Sequence, residues 1–179
     1  QTLAAQVAEA LQQTGTDEVW EFGAGSGALA AQLLDTLGTS VKRYTIVDLS
    51  GSLRARQQLA LARFGDTVRW VDALPAQFDG VVVGNEVLDA MPVRRLARVQ
   101  GQWHERGVAW HADAFAWADR PTDLRPPLAI DGPHDYLTEI HPQGQAFIRT
   151  LAARMGRGAV FLLDYGFGES EYYHPQRHM

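Results

Sequence analysis

The sequence predicts an α/β fold in which a mostly parallel sheet carries helices on both faces. Short apolar runs of strand length alternate with segments of helical periodicity over the first 90 residues and again near the end of the chain. Parallel strands need a long crossover connection, usually a helix, so this alternation favours a parallel sheet. A length of 179 residues suits one domain. We therefore predict a single domain over residues 1–179.

The composition narrows the classes of function. The 16 basic and 21 acidic side chains give a net charge of −5, which argues against a broad nucleic-acid-binding face. Without cysteine there is no disulfide, thiolate metal site or cysteine nucleophile. Neither a membrane span nor a signal peptide is evident. We predict a cytoplasmic protein that binds no nucleic acid and has no membrane span; its arginine-rich basic set indicates a GC-rich, bacterial genome. Its oligomeric state stays open.

The parallel sheet is predicted from five apolar runs. They are residues 18–22, 43–47, 67–71, 80–83 and 159–163, and the expected strand order is 3-2-1-4-5. Before the first run, Leu3, Val7 and Leu11 share one helical face, but no capping residue precedes them. We expect the chain to be cut from a longer protein.

The middle of the chain changes from helical to strand periodicity. Residues 93–118 alternate with a period of two and predict two or three antiparallel strands, inserted into the parallel fold. Residues 119–135 hold four prolines and predict a loop. A helix with Phe147, Leu151 and Met155 on one face then leads to the fifth strand.

A glycine loop joins the first strand to the next helix. Gly23, Gly25 and Gly27 lack a Cβ atom, so a ligand can lie against the backbone. Asp48 ends the neighbouring strand, where a carboxylate can accept both hydroxyls of a ribose. In a parallel sheet both positions lie at the same edge. The pattern predicts a nucleoside ligand rather than a purely structural turn.

Two nucleosides fit this loop. Gly23, Gly25 and Ala28 match the dinucleotide pattern G-x-G-x-x-A, so an NAD-dependent oxidoreductase is one candidate. Glu21 favours the other candidate, because a carboxylate repels a pyrophosphate and attracts the ammonium and sulfonium groups of S-adenosylmethionine. Gly27 gives the G-x-G-x-G spacing of class I methyltransferases. We favour a methyltransferase.

A second string is more specific. Residues 84–93 read GNEVLDAMPV and resemble the motif N-E-hydrophobic-x-D-A-x-P-V of the MidA-like family of class I methyltransferases. Three further stretches resemble the same family in the same order: 21–27, Ser50 through Leu53-Arg54 to Gln57, and Asp164-Tyr165-Gly166 followed by Glu171-Tyr172-Tyr173.

The resemblance implies a Rossmann-like class I methyltransferase fold, with S-adenosylmethionine as cofactor. In mitochondrial members the acceptor is an arginine of a respiratory complex I subunit, and methylation assists complex I assembly. A protein substrate, possibly a respiratory complex subunit, is therefore expected here. Members are longer than this chain at both ends, which agrees with a truncated methyltransferase domain.

Two acidic residues are the catalytic candidates. An arginine acceptor is protonated at neutral pH, so carboxylates must orient its guanidinium and accept a proton. Glu86 and Asp89 lie three positions apart and would share a face if the chain turned helical after the fourth strand. Asn85 and Asp89 can equally brace the turn.

The remaining assignments complete the site. Asp72 and Ala73 follow the third strand and would lie near the adenine by fold analogy. The predicted cofactor-binding set is Glu21, Gly23, Ala24, Gly25, Gly27, Asp48, Leu49, Asp72, Ala73 and Asn85. Asp164 and Tyr165 either line an acceptor pocket or are structural. His174 and His178 have helical metal-ligand spacing, but no carboxylate motif accompanies them, and we predict no metal site.

A third class of function also stays open. A non-catalytic assembly protein could keep the nucleoside pocket as part of the fold and bind a partner through Trp103, Trp110 and Trp117. Such a protein would keep partner binding and cellular function after Glu86→Ala. Because odd spacings alternate faces of a strand, the three tryptophans need not form one stripe.

Overall fold

The computed structural model describes residues 2–176, which divide into two compact units. The first unit comprises the chain up to Ala90 together with Ile148–Asp164. The second comprises Met91–Phe147 and the segment that begins at Tyr165. We describe each unit separately.

The first unit contains the parallel sheet. Its strands are β1 (Glu18–Phe22), β2 (Arg43–Val47), β3 (Val68–Val71), β4 (Phe78–Asn85) and β9 (Met155–Leu163). All neighbouring pairs are parallel, and the order is β3-β2-β1-β4-β9. The predicted α/β fold and strand order are confirmed, with β9 as the fifth strand.

Helices bury the apolar face that their periodicity predicts. They are α1 (Thr2–Thr14), α2 (Ala28–Leu37) and α3 (Gly51–Leu61), while α4 (Pro142–Arg154) connects to β9. Val7 and Leu11 of α1 join Leu33 and Leu34 of α2 in one buried cluster with the central strands. This burial removes apolar surface from water and fixes both helices on the sheet. The glycine loop at the start of α2 is therefore held on a rigid base.

The second unit is a four-stranded antiparallel sheet. Its strands are β5 (Arg94–Val99), β6 (Gln102–His111), β7 (Ala114–Pro121) and β8 (Tyr136–Ile140), in the order β7-β6-β5-β8. The predicted insertion at 93–118 holds three of these strands. The predicted loop at 119–135 starts too early, because β7 continues to Pro121. Strand β8, which follows this loop, was not predicted.

The sequence does not predict β8, because the strand that pairs with it, β5, is distant in sequence. The strand has only five residues and follows a proline-rich segment, so its local pattern is weak. Its stability comes from pairing with β5, which buries Tyr136 and Thr138 against the sheet. The segment that follows β9 contains a one-turn helix, α5 (Glu169–Tyr172).

An apolar cluster lies on one face of the β6–β7 hairpin. Val108 pairs with Trp117 and Trp110 pairs with Phe115, and all four side chains are more than half exposed. Trp103 lies on the opposite face because it is seven residues from Trp110 on the same strand. The three tryptophans therefore do not form one stripe, an arrangement that their odd spacing had left open. Within the described residues no helix has the length and apolarity needed to cross a membrane.

Candidate functional site

A cleft lies at the carboxyl ends of the parallel strands. Its volume is about 510 Å³, within the range of small-molecule sites. It is lined by Leu3, Glu21, Gly23, Ala24, Gly25, Ser26, Ala28, Leu29, Gln32, Asn85 and Leu163. Five of these were predicted as cofactor-binding: Glu21, Gly23, Ala24, Gly25 and Asn85. Gly27, Asp48, Leu49, Asp72, Ala73, Glu86 and Asp89 are not among its lining residues.

The glycine loop has a conformation that other residues rarely adopt. Gly23, Gly25 and Gly27 have φ angles of 66°, 53° and 84°, in the left-handed region. A Cβ atom on Gly23 would also lie 3.2 Å from Val87 Cγ2. Gly27 is the N-cap of α2. The loop therefore bends sharply and presents bare backbone to the cleft, next to a helix N-terminus.

Glu21 is the ionisable residue that lines this cleft. It is 1% exposed, and its Oε2 accepts a hydrogen bond of 2.8 Å from the Tyr44 hydroxyl. Burial raises the pKa of Glu21 to about 7, although the hydrogen bond from Tyr44 works in the opposite direction. A positively charged ligand in the cleft would favour the ionised carboxylate, which matches the role predicted for Glu21.

Asp48 is held in a fixed orientation at the end of β2. Its Oδ1 accepts a 2.8 Å hydrogen bond from the Ser50 backbone N–H, and its Oδ2 accepts one of 2.8 Å from Gln57 Nε2. Ser50 also caps α3 by accepting from Leu53 N. Leu49, between them, is 83% exposed. The carboxylate is therefore preorganised before any ligand arrives.

The end of β3 is tied to the end of β2 by Arg54. Its Nη2 donates to the Asp48 carbonyl oxygen at 2.8 Å and to Asp72 Oδ1 at 2.5 Å. Asp72 and Ala73 lie in an exposed bend. One carboxylate oxygen of Asp72 thus has a partner within the protein, and its contact with an adenine remains a prediction.

The chain after β4 forms a turn rather than the expected helix. Glu86 has a φ of 55°, and residues 87–90 are a turn, so the predicted helical face for Glu86 and Asp89 is wrong. The Glu86 backbone N–H donates to the Leu163 carbonyl at 2.8 Å, and both acidic side chains are exposed. The left-handed bend explains the difference, because it breaks the right-handed path that a helix requires.

Asp164 is the carboxylate that braces this turn. Its Oδ1 accepts a 3.0 Å hydrogen bond from the Asp89 backbone N–H, whereas its Oδ2 is buried and has no partner among the described residues. The bracing role considered for Asp89 therefore belongs to Asp164. Tyr165 is 79% exposed, so it is not the buried structural tyrosine of one alternative.

The strained backbone at Glu86 leads to a stability prediction. A left-handed residue with a side chain costs roughly 1–2 kcal/mol, whereas glycine adopts this conformation freely. Glu86→Gly should therefore be about 1 kcal/mol more stable than Glu86→Ala in urea unfolding. Equal stability of the two variants would show that the backbone at this position is not strained.

The candidate metal site finds no support in the described part of the chain. No group of three or more metal-ligating side chains occurs among residues 2–176. His174 contributes its carbonyl oxygen to a 3.0 Å hydrogen bond from the Tyr136 hydroxyl. His178, its predicted partner, lies outside the described residues.

Several residues that line the cleft were not predicted from the sequence. Leu3 was predicted on the core face of α1, and Leu163 was predicted as the last residue of the fifth strand, without a role in binding. Ala28, Leu29 and Gln32 could have been found, since they lie on the first turns of the helix that follows the glycine loop. Gln57, which bonds both Asp48 and the glycine loop, was noted only as part of a motif.

Known proteins are similar to this chain over nearly all of its residues. A family model described as "Putative S-adenosyl-L-methionine-dependent methyltransferase" matches residues 2–179. A Burkholderia thailandensis protein, described as a "likely methyl transferase" and crystallised with S-adenosyl-homocysteine, is 51% identical with a TM-score of 0.91. A native crystal structure of an uncharacterized protein of that superfamily from the same organism is 52% identical, with a TM-score of 0.90.

The two solved structures extend well beyond this chain. The matches cover 99% of this chain but only 49% and 50% of theirs, so the chain spans about half their length. No curated protein gave a significant match.

Proposed function

The chain belongs to this family of S-adenosyl-L-methionine-dependent methyltransferases, and from its resemblance to the MidA-like family we propose that it methylates arginine in a protein substrate. The observation that carries the proposal is the cleft in which a buried carboxylate, Glu21, lies beside the bare glycine loop.

The residues at the strand ends suit S-adenosylmethionine. Asp48 would accept the ribose hydroxyls. Each of its carboxylate oxygens accepts one hydrogen bond from the described residues, which leaves a lone pair on each for a hydroxyl. Glu21 would lie near the positive charges of the methionine portion, and the glycine loop would contact it through backbone. S-adenosylmethionine supplies a methyl group bound to a positively charged sulfur.

Glu21 also argues against the NAD-dependent alternative. A pyrophosphate in this cleft would lie near the buried carboxyl of Glu21 and would favour its protonated form. Because the pKa of this carboxyl is about 7, keeping it protonated costs free energy at any higher pH. A cationic ligand instead gains from the ionised form. The same residue thus discriminates between the two nucleosides.

Acidic residues beside the cleft suit an arginine acceptor. Glu86 and Asp89 are exposed in the turn after Asn85, which lines the cleft. A guanidinium donates five N–H groups, so carboxylates can orient it and concentrate its charge away from the attacking nitrogen. Asp164, which follows β9, braces this turn through the Asp89 backbone N–H, while its buried Oδ2 has no partner among the described residues. Glu86 would receive the proton released on transfer.

The pKa of Glu21 predicts a pH-dependent affinity. Because the free protein holds this carboxyl at a pKa of about 7, a cationic ligand must displace a proton below that pH. The affinity for S-adenosylmethionine should rise by up to about tenfold per pH unit as pH increases from about 6, and it should level off above about pH 8. Isothermal titration calorimetry at several pH values would measure this.

A Glu21→Gln variant is the matched control for that pH profile. It keeps the shape and the acceptor for Tyr44 but cannot ionise, so its affinity should be weaker and independent of pH over this range. A pH profile that persists unchanged in this variant would mean that another group titrates.

Ligand binding tests the cofactor. Calorimetry with S-adenosylhomocysteine should show binding at one site per chain, and NADH should show none. Binding of NADH in place of S-adenosylhomocysteine would favour the oxidoreductase and reject the proposal.

Methyl labelling tests the acceptor. The full-length protein, incubated with tritiated S-adenosylmethionine and a lysate from a deletion strain, should label a protein band that yields methylarginine on hydrolysis. The resemblance to the MidA-like family favours a respiratory complex subunit. Label recovered in a small molecule, in nucleic acid or in another amino acid would reject arginine as acceptor.

One observation favours a second candidate, a non-catalytic assembly protein. The exposed cluster of Val108, Trp110, Phe115 and Trp117 is typical of protein-contact surfaces. In that case Glu86→Ala would leave partner binding and cellular function intact, whereas a methyltransferase would lose function with this substitution. Complementation of a deletion strain distinguishes the two.

A further inference from the structure

A fully buried amide connects three parts of the first unit. Gln57, on α3, has no exposed surface. Its Nε2 donates to the Gly25 carbonyl oxygen at 3.0 Å and to Asp48 Oδ2 at 2.8 Å, and its Oε1 accepts from Trp70 Nε1 at 2.9 Å. The side chain therefore joins the glycine loop, the end of β2 and strand β3.

The orientation of this amide follows from its partners. An indole N–H can only donate, so the Gln57 oxygen must face Trp70. The two hydrogens of the amide nitrogen then face the two acceptors, Gly25 O and Asp48 Oδ2. Every polar atom of the side chain has a partner, which is what a buried amide requires. Reversing the amide would set two acceptors against its oxygen.

The same hydrogen bond determines what Asp48 can do. Among residues 2–176, each carboxylate oxygen of Asp48 has one partner, Ser50 N on Oδ1 and Gln57 Nε2 on Oδ2. A carboxylate oxygen has about two acceptor sites, so one remains on each. Two vicinal hydroxyls can donate to a pair of oxygens arranged in this way.

We propose that Gln57 is a positioning residue, which fixes the carboxylate of Asp48 and the glycine loop in the arrangement that recognises the two ribose hydroxyls of the cofactor. This inference rests on the proposed function. Gln57 acts through Asp48 and Gly25 rather than by touching the cofactor. Fixing the carboxylate beforehand lowers the ordering cost of binding, so the loss of Gln57 should appear as lost recognition of the hydroxyls.

The test compares two ligands in two proteins. S-adenosylhomocysteine and its 2′,3′-dideoxyribose analogue are titrated calorimetrically into the wild-type chain and into Gln57→Met, which keeps the volume without the amide. The wild-type chain should bind the analogue about 100-fold more weakly, because two hydrogen bonds to a charged group are lost. In Gln57→Met this ratio should fall below about tenfold.

The ratio separates positioning from general packing. If Gln57 only stabilises the fold, both ligands lose affinity by the same factor and the ratio stays at its wild-type value, which would overturn the inference. The control is Gln58→Met, at the exposed neighbouring position of α3, which should leave the ratio unchanged. Absence of any S-adenosylhomocysteine binding by the wild-type chain would instead reject the proposed function.

A conservative variant and a direct measurement complete the test. Gln57→Glu places a carboxyl oxygen next to Gly25 O and Asp48, and this oxygen can donate a hydrogen bond only while the carboxyl is protonated. The affinity ratio between S-adenosylhomocysteine and its dideoxy analogue should therefore recover at low pH and fall as pH rises. Should the variants not fold, a crystal structure of the wild-type chain with S-adenosylhomocysteine decides. Gln57 Nε2 should remain bonded to Asp48 while the hydroxyls bond Asp48, and an Asp48 turned away from the ribose would overturn the inference.

Discussion

Replacing Asp48 with alanine is expected to weaken binding of S-adenosylhomocysteine by roughly 10²–10⁴-fold. Two hydrogen bonds to a charged group contribute about 1.5–3 kcal/mol each, and each 1.4 kcal/mol is about tenfold in affinity. The substitution also removes the acceptor of the Ser50 N–H, Asp48 Oδ1, and one of the two acceptors of the Gln57 amide nitrogen, Asp48 Oδ2. Calorimetry measures the change directly, and the unfolding transition of the variant reports its stability.

The matched control for this substitution is Asp66→Ala. Asp66 is an exposed acid of the same first unit, so its removal changes the net charge equally without touching the cleft. Its affinity should stay within about twofold of wild type. If Asp48→Ala also bound with wild-type affinity while remaining folded, the ribose would have to be recognised elsewhere.

Replacing Glu86 with glutamine should lower the methyl-transfer rate by roughly 10²–10⁴-fold, because a neutral amide can neither localise the guanidinium charge nor accept its proton. Glu86 is assigned to the acceptor arginine rather than to the cofactor, so the affinity for S-adenosylhomocysteine should change by less than about twofold. The separation of rate from ligand affinity is the diagnostic result. Tritium transfer measures the rate, and calorimetry measures the affinity.

Glu9→Gln is the corresponding control. Glu9 is exposed on α1 and bonds only its helical neighbour Gln13 among the described residues, so both rate and affinity should match wild type. Full transfer activity in Glu86→Gln would remove Glu86 from the mechanism and leave Asp89 and Asp164 as the remaining acidic candidates.

The parallel sheet was predictable because its signals are local. The run from Glu18 through the glycine loop gives a strand, a sharp turn and a helix within about 20 consecutive residues, each with its own periodicity. Asp48 follows the next strand directly, so parallel topology alone places it at the same sheet edge as Gly23. The sequence-based prediction matches the structure where the position of a residue depends on its immediate neighbours in the chain.

The turn after β4 and the antiparallel strand β8 depend on distant partners. A spacing of three suggests a helical face for Glu86 and Asp89, but the chain reverses at Glu86, where its N–H meets Leu163 almost 80 residues away. β8 likewise gains its stability from pairing with β5. Neither contact leaves a pattern in the local sequence.

Gln57 shows the same limit for a single side chain. A glutamine in a helix with few apolar residues suggests a solvent-facing position, and its neighbour Gln58 is indeed exposed. Gln57 is buried only because Gly25, Asp48 and Trp70 meet around it from three other segments. Its role requires the tertiary structure.

The most direct test is a crystal structure of the chain grown with S-adenosylhomocysteine. The ligand should occupy the cleft with its ribose hydroxyls on Asp48 and its homocysteine amine near Glu21, against the glycine loop. A ligand bound elsewhere, or a cleft that accepts a dinucleotide but not this nucleoside, would contradict the assignment of the site.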